Sequence, residues 1–229
     1  MKTTKNRKQI LTNLDINKVY EPLEAIKILK EKSFVKFNET IDISINLGID
    51  SNKTDQNIRG VVNLPKGSGK AVRVAVVANE EKHNDAKSNG ADLIGSDELI
   101  DTIAQSKIEF DILIATPDMM PKLGKVAKIL GPKGLMPNPK LGTVTNDISQ
   151  SVKNAKSGQV KFKNDKSGIV HAGVGKIDFN EEDLLENIKT FYSSVVKSKP
   201  DSVKGSFIKK VTIASTMGIG LNINQASLR

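Results

Sequence analysis

The residues with the clearest potential for phosphate chemistry lie in LGPKGLMPNPKLGTV, at positions 130–144. This segment contains three glycines and two lysines, Lys133 and Lys140, and no acidic residue. A catalytic phosphate loop needs a glycine-lysine-hydroxyl run that leads into a helix N-terminus, because the backbone N–H groups there hold the anion. No such run is present, so the segment favours a rigid structural loop or a secondary RNA contact over a nucleotide site.

The shape of this loop follows from its glycines and prolines. We expect Gly131 to cap the apolar helix that precedes it and Pro132 to end that helix. Pro137 and Pro139 then stiffen an extended path, which reduces the entropy lost when the loop becomes ordered.

Two other glycine-lysine segments, GSGK at 67–70 and AGVGK at 172–176, also fail as phosphate loops. Neither has the required first glycine, and alanine and isoleucine follow the two lysines where a hydroxyl side chain is needed. The chain has no cysteine, and its two histidines, His83 and His171, lie in different segments. The sequence therefore predicts no catalytic residue, no metal site and no cofactor.

The composition favours a polyanionic partner. The chain of 229 residues carries 35 Lys+Arg against 26 Asp+Glu, a net charge of +9. Aromatic residues make up only 4%, which favours recognition of a folded RNA through shape, phosphates and 2′-hydroxyls over stacking of unpaired bases. No apolar run approaches the roughly 18 residues of a membrane helix, and the lack of cysteine fits a reducing compartment, so we expect a cytoplasmic protein.

The elements that would position these residues fall into three segments. Residues 1–67 and 159–229 contain strand-like alternation and amphipathic helix patterns, including a hairpin that turns at 165–168. Residues 68–158 alternate short apolar runs with helical segments, which is typical of βαβ units. Each outer segment carries a net charge of +4, and the middle segment carries +1. We predict an α/β protein with a discontinuous α+β RNA-binding domain, 1–67 plus 159–229, and an inserted α/β domain, 68–158.

Two stretches of the outer segments have the composition of RNA contacts. Lys36, Phe37 and Thr40 lie at a predicted helix-to-strand transition, and TMGIG at 216–220 ends a predicted strand. Glycine has no Cβ and therefore allows a nucleic-acid backbone to approach closely. The alternatives are a core role for Phe37 and an ordinary strand-end turn at 216–220.

Four segments, in order along the chain, resemble the bacterial ribosomal protein L-one family: FNETIDISINLGID, DQNIRGVVNLP, ATPDMMPKLGKVAKILGPKGLMPNPKLGTVT and STMGIG. The resemblance covers essentially the whole chain, and ILGPKGLMPNPKLGTV is highly specific to the family. It implies a discontinuous α+β domain and an inserted, Rossmann-like three-layer α/β domain, joined by a hinge. It also implies a protein that is not an enzyme and is monomeric when free.

The resemblance implies partners within translation. The protein would bind 23S rRNA directly at the mobile stalk of the large ribosomal subunit and assist the release of E-site tRNA. It would also repress translation of its own operon by binding an mRNA site that mimics the rRNA. No membrane and no cofactor are implied.

Carried onto this chain, the resemblance places the main RNA contacts in the outer domain. They are Lys36, Phe37, Thr40, Asp165, Lys166, Ser167, Gly168, His171, Thr216, Met217 and Gly218. Ser167 keeps the hydroxyl of the threonine that is frequent in the family, whereas Gly173 replaces a common proline. Secondary contacts are assigned to Lys133 and Lys140, and the hinge to Gly67, Ser68, Gly158 and Gln159.

Two rival hypotheses stay open. An enzyme would use residues 68–158 on a phosphorylated substrate, with 130–144 as its loop, although the glycine-rich turn and the general base are missing. A generic basic nucleic-acid binder would show little preference between a stalk-type rRNA fragment and a duplex of equal length.

Overall fold

The structure, a computed structural model, describes residues 14–15, 18–105, 107–203 and 205–228, apart from the side chains of Glu81 and Lys140. It is a mixed α/β protein that divides into two compact units. Unit 1 comprises Met1–Gly69 and Val160–Arg229, and unit 2 comprises Lys70–Gln159.

Unit 1 is built on a five-stranded sheet, with a two-stranded sheet beside it. Its strands are β1 (Val19–Tyr20), β2 (Thr40–Leu47), β3 (Arg59–Asn63), β7 (Gln159–Lys163), β8 (Ile169–Lys176), β9 (Ile208–Ser215) and β10 (Leu221–Ile223), and its helices are α1 (Pro22–Glu31) and α7 (Glu181–Lys197). The larger sheet has the order β1-β10-β9-β2-β8, in which only the β1–β10 pair is parallel. The two-stranded sheet pairs β3 with β7.

Strict alternation along β2 decides which face of the large sheet is buried. Ile41, Ile43 and Ile45 are fully buried, whereas the residues between them point to the opposite face. Helices α1 and α7 pack on the buried face, where α7 contributes Phe191, whose ring meets that of Phe162 edge to face at 5.6 Å. The sheet therefore has one apolar face under the helices and one polar face.

The predicted hairpin at 165–168 forms its turn, but its two strands separate almost at once. Asn164 and Val170 make an isolated antiparallel bridge, and Gly168 adopts φ 74°. Beyond this bridge β7 pairs with β3, whereas β8 pairs with β2 in the larger sheet. The local turn signal was correct, but long-range pairing determines the partners of both strands.

Unit 2 has a three-stranded parallel sheet in the order β5-β4-β6. Its strands are β4 (Val74–Val77), β5 (Leu93–Gly95) and β6 (Ile112–Ala115), and its helices are α2 (His83–Ser88), α3 (Asp97–Ala104), α4 (Met120–Leu123), α5 (Ala127–Leu130) and α6 (Ile148–Lys156). All residues of β4 and β6 are buried, with one apolar cluster around Leu113 and a second around Val76. Both faces of this sheet are therefore covered, as is usual for parallel sheets.

Gly131 is the C-cap of α5, as predicted, although it does not adopt the left-handed conformation that is common at helix ends. Gly131 has helical dihedral angles, φ −59° and ψ −56°, and its N–H donates to the Ala127 carbonyl. The left-handed residue is Gly134, with φ 69°, and the next N–H, from Leu135, returns to the Leu130 carbonyl at 3.0 Å. The helix therefore ends before Pro132, as predicted, and a hydrogen-bonded turn at 131–134 follows it.

Candidate nucleic-acid interface

In unit 1 the turn after β9 lies directly against the start of β2. The Thr216 hydroxyl accepts a hydrogen bond from the Thr40 N–H at 3.0 Å and donates to the Thr40 carbonyl at 3.2 Å. This contact follows from the register of the sheet, in which Ser215 lies opposite Ile41. Residues 36–40 and 216–218, both predicted RNA contacts, therefore form one continuous surface.

Two apolar side chains stand out on this surface. Phe37 is 54% exposed and Met217 is 53% exposed, and Lys36 is also exposed. The alternative of a core role for Phe37 is therefore wrong, since its ring does not belong to the apolar cluster of unit 1. Exposed aromatic and flexible apolar side chains beside a lysine are suited to contact with nucleotide bases and riboses.

Gly218 is required by its own turn. Its N–H donates to the Ser215 carbonyl at 3.1 Å, and a Cβ at this position would lie 2.3 Å from the Ser215 hydroxyl. Because Ser215 is buried, a side chain at position 218 would first disturb the protein itself. The structure thus gives this glycine a steric role that does not depend on a partner.

Two residues that sequence reasoning missed hold this surface together. The Lys176 ammonium donates to the Thr40 hydroxyl at 2.8 Å and lies 3.5 Å from the Asn38 carbonyl. Glu39 is only 1% exposed and accepts the Met217 N–H at 2.8 Å. A signal for Glu39 was present, because alternation along β2 places odd-numbered residues on the core face.

A second predicted contact, the turn 165–168, is organised by Asp165. Its carboxylate accepts the backbone N–H groups of Ser167 and Ile169, both at 2.8 Å. The hydrogen bond from Ile169 is the largest of the effects that hold the pKa of Asp165 below its usual value. Lys166 and Ser167 are exposed at the tip of the turn, whereas Gly168 is buried.

His171 connects this turn to the polar face of the large sheet. Its Nδ1 lies 3.0 Å from the Ser44 hydroxyl, and its Nε2 lies 3.7 Å from an Asp165 carboxylate oxygen. Ser44 is paired with His171 on β8 and with Thr212 on β9, and Thr212 is paired with Asn222 on β10. Hydroxyl, imidazole and amide groups therefore follow one another across four adjacent strands.

Asp42 is the acidic residue of β2 on this polar face. Desolvation by the surrounding atoms raises the pKa of Asp42, and the nearby His171 and Lys176 offset part of that effect. The side chain is nevertheless exposed to solvent, and its carboxylate would oppose the approach of a phosphate.

The predicted secondary contacts lie on the 130–144 loop of unit 2. Lys133 is exposed in the turn at 131–134, and Lys140 lies in a 3-10 turn, Pro139–Leu141, although its side chain falls outside the described residues. The buried Thr143 fixes the loop, since its hydroxyl accepts the Asn138 N–H at 2.8 Å. The loop is therefore a rigid support for at least one exposed lysine.

The predicted hinge residues lie where the chain passes between the two units. Gly67 adopts φ 71°, and its carbonyl accepts a hydrogen bond from the buried Asn187 amide at 3.0 Å. Gly158 adopts φ 101°, and Gln159 begins β7. Both connections therefore contain a glycine in a conformation that other residues rarely adopt.

No helix among the described residues is long and apolar enough to cross a membrane. Within the same residues no cluster of acidic or histidine side chains could hold a metal ion.

Comparison with known proteins gives consistent results. Residues 29–219 match the model of the "Ribosomal protein L1p/L10e family". Proteins named "Large ribosomal subunit protein uL1" from Rickettsia akari (strain Hartford) and Rickettsia conorii (strain ATCC VR-613 / Malish 7) are each 55% identical over 210 residues. The one from Rickettsia bellii (strain OSU 85-389) is 56% identical, and in all three the match covers 92% of this chain and 88% of the relative. The resemblance seen in the sequence is confirmed: the chain belongs to the ribosomal protein L1p/L10e family, and it is a ribosomal protein and not an enzyme.

Proposed function

We propose that the protein is a structural constituent of the large ribosomal subunit and binds 23S rRNA directly at the mobile stalk through unit 1. The observation that carries the proposal is the junction of residues 36–40 with the turn 216–218 through paired Thr40–Thr216 hydrogen bonds. This junction places exposed lysine, aromatic, hydroxyl and methionine side chains beside a polar sheet face.

The chemistry of the polar face supports RNA over DNA as the partner. Hydroxyl and amide groups such as Ser44, Thr212 and Asn222 are suited to 2′-hydroxyls and base edges, which are accessible in the shallow minor groove of RNA helices. The net charge of the outer segments adds attraction to phosphates.

The proposed domain organisation is a discontinuous RNA-binding domain, 1–67 plus 159–229, with an inserted Rossmann-like domain, 68–158, between hinge residues Gly67, Ser68, Gly158 and Gln159. The parallel β5-β4-β6 sheet with apolar clusters on both faces supports the fold proposed for the insertion. The protein is proposed to be monomeric when free, and cytoplasmic through its association with the ribosome.

Three further roles belong to the same proposal. The protein would assist release of E-site tRNA, repress its own operon through an mRNA copy of the rRNA site, and make a secondary RNA contact through Lys133 and Lys140. Ribosomes that lack the protein should then release deacylated tRNA more slowly, and the leader of the operon mRNA should compete with the stalk fragment for the free protein. Normal release and a leader that does not compete would contradict these two roles.

Competition binding at fixed, physiological salt tests the central proposal, because nucleic-acid affinities are interpretable only at a stated salt concentration. A labelled stalk-type rRNA fragment is displaced by unlabelled stalk fragment or by an RNA duplex of equal length. The stalk fragment should compete at far lower concentration than the duplex. Equal competition would support the generic basic binder.

A further inference from the structure

Glu39 is a buried acid, and the contact described above for its side chain is with another part of the protein. We propose, on the basis of the proposed function, that Glu39 is a positioning residue that fixes the turn 216–218 against the segment 33–40 and so prepares the RNA-binding surface before RNA arrives.

The two oxygens of Glu39 bind two different chain segments. One accepts the Met217 N–H at 2.8 Å, from a residue 178 positions away, and the other accepts the Ser33 hydroxyl at 2.7 Å. The Glu39 carbonyl also accepts the Ile177 N–H at 2.9 Å, which ties its backbone to the end of β8. The side chain therefore joins both halves of the proposed surface at a fixed point.

Burial excludes a direct role for this carboxylate in contacting RNA. Glu39 is 1% exposed, so a phosphate or base could reach it only if the protein opened. A buried carboxylate is costly unless its oxygens are hydrogen-bonded, and charge-assisted bonds to N–H and O–H groups are the strong ones. Both Glu39 oxygens accept hydrogen bonds in the structure, which indicates that the role of this acid is to fix the geometry of the turn.

The hydrogen bonds of Glu39 fix the backbone of Met217 directly, and they affect Phe37 through the start of β2. Both side chains are about half exposed, so packing alone does not fix them. With the Met217 N–H bound to Glu39 and Thr216 bound to Thr40, two successive residues of the turn are anchored by side-chain hydrogen bonds. A surface ordered in advance loses less conformational entropy on binding, and its affinity is correspondingly higher.

The test compares Glu39→Leu and Glu39→Gln in the full-length protein. Leucine removes the acceptor for the Met217 N–H, whereas glutamine keeps one acceptor oxygen and replaces the other, together with the charge, by an NH2 group that can donate to the Ser33 hydroxyl. We expect Glu39→Leu to weaken binding to the stalk fragment at least about tenfold, the size expected when a buried donor loses a charged acceptor. Glu39→Gln should stay within about twofold of the wild type, since its amide can still serve both partners.

The matched control is the exposed acid Glu31, changed to Leu and to Gln, because each change removes the same charge away from the turn. A readout independent of RNA is hydrogen exchange: the Met217 amide should exchange faster in Glu39→Leu, whereas the Ile213 amide inside β9 should not change. If circular dichroism shows that Glu39→Leu is unfolded, Glu39→Asp replaces it. Aspartate is one methylene shorter and should cause a several-fold loss together with faster Met217 exchange.

Stalk-fragment affinity of Glu39→Leu, or of Glu39→Asp in its place, equal to that of the Glu31 controls would overturn the inference. So would a tenfold loss in Glu39→Gln with an unchanged Met217 amide, because geometry would then not explain the loss. A wild-type protein that shows no preference for the stalk fragment contradicts the proposed function instead, and the Met217 amide then still decides whether Glu39 holds the turn.

Discussion

Unit 1 and unit 2 both combine helices with a sheet, but they leave different surfaces for a partner. In unit 1 helices cover one face of a largely antiparallel sheet, and the other face carries Thr40, Ser44 and Thr212. In unit 2 apolar clusters lie on both faces of a parallel sheet, and all residues of β4 and β6 are buried. A sheet buried on both faces can offer a partner only its loops and helix surfaces.

This difference explains why the main RNA contacts are proposed for unit 1 and only a secondary contact for unit 2. The polar face of unit 1 extends over four strands about 4.8 Å apart, which is broad enough for a folded RNA. The loop at 130–144 in unit 2 is rigid but narrow, and it presents Lys133 at one point.

The largest expected effect tests whether each unit depends on its own core. Phe191→Ala should destabilise unit 1 by about 3–5 kcal/mol, because it removes a fully buried ring that contacts Phe162. Hydrogen exchange followed by NMR should show faster exchange in β2 and unchanged exchange in β4. Equal acceleration in both strands would mean that the two units do not unfold separately.

The second comparison sets the turn of unit 1 against the loop of unit 2. Thr216→Val removes both hydrogen bonds to Thr40 and should weaken stalk-fragment binding about tenfold or more. Lys133→Ala removes one exposed charge and should cost at most a few-fold. Fluorescence anisotropy at one salt concentration measures both variants, and a duplex of equal length controls for general charge attraction. Similar losses of affinity would mean that unit 2 contributes as much to stalk-fragment binding as unit 1 does.

A smaller effect is expected for the acid on the polar face. Asp42→Asn removes a negative charge and should tighten RNA binding about two- to threefold, as for other screened surface charges.

Since the pKa of Asp42 is raised in the folded protein, its protonated form contributes stability below pH 4 that is lost as the pH rises through the folded pKa. Asp42→Asn should therefore gain stability relative to the wild type between pH 4 and 7. Urea unfolding at both pH values checks this, and weaker RNA binding would contradict a role for the polar face.

Asp165 is expected to show the opposite pH dependence of stability, and its effect is the smallest of those predicted. Its pKa is lowered, so its carboxylate contributes stability above the usual aspartate pKa of about 4, and that stability is lost as the pH falls through the folded pKa. Asp165→Asn should be less stable than the wild type at pH 7, and the difference should shrink in acid. Urea unfolding from pH 7 down to pH 3 measures the trend. A difference that is independent of pH would show that the charge does not hold the turn.

The sequence anticipated the features that depend on local pattern. Alternation in ETIDISINL and the continuous apolar runs VAVVA (74–78) and ILIA (112–115) distinguish a sheet buried on one face from a sheet buried on two. The turn at 165–168 was also predictable, because an aspartate carboxylate can accept hydrogen bonds from the backbone N–H groups two and four residues later.

The sequence by itself determined the α/β class, the location of the positive charge and the family, because periodicity, charge and the LGPKGLMPNPKLGTV segment are local properties. Only the tertiary structure decided that Thr216 binds Thr40, that Glu39 binds Met217, and that β7 and β8 part into different sheets. These contacts join residues more than 170 positions apart or depend on competition between strands. They are fixed by the register of the whole sheet, which no short segment specifies alone.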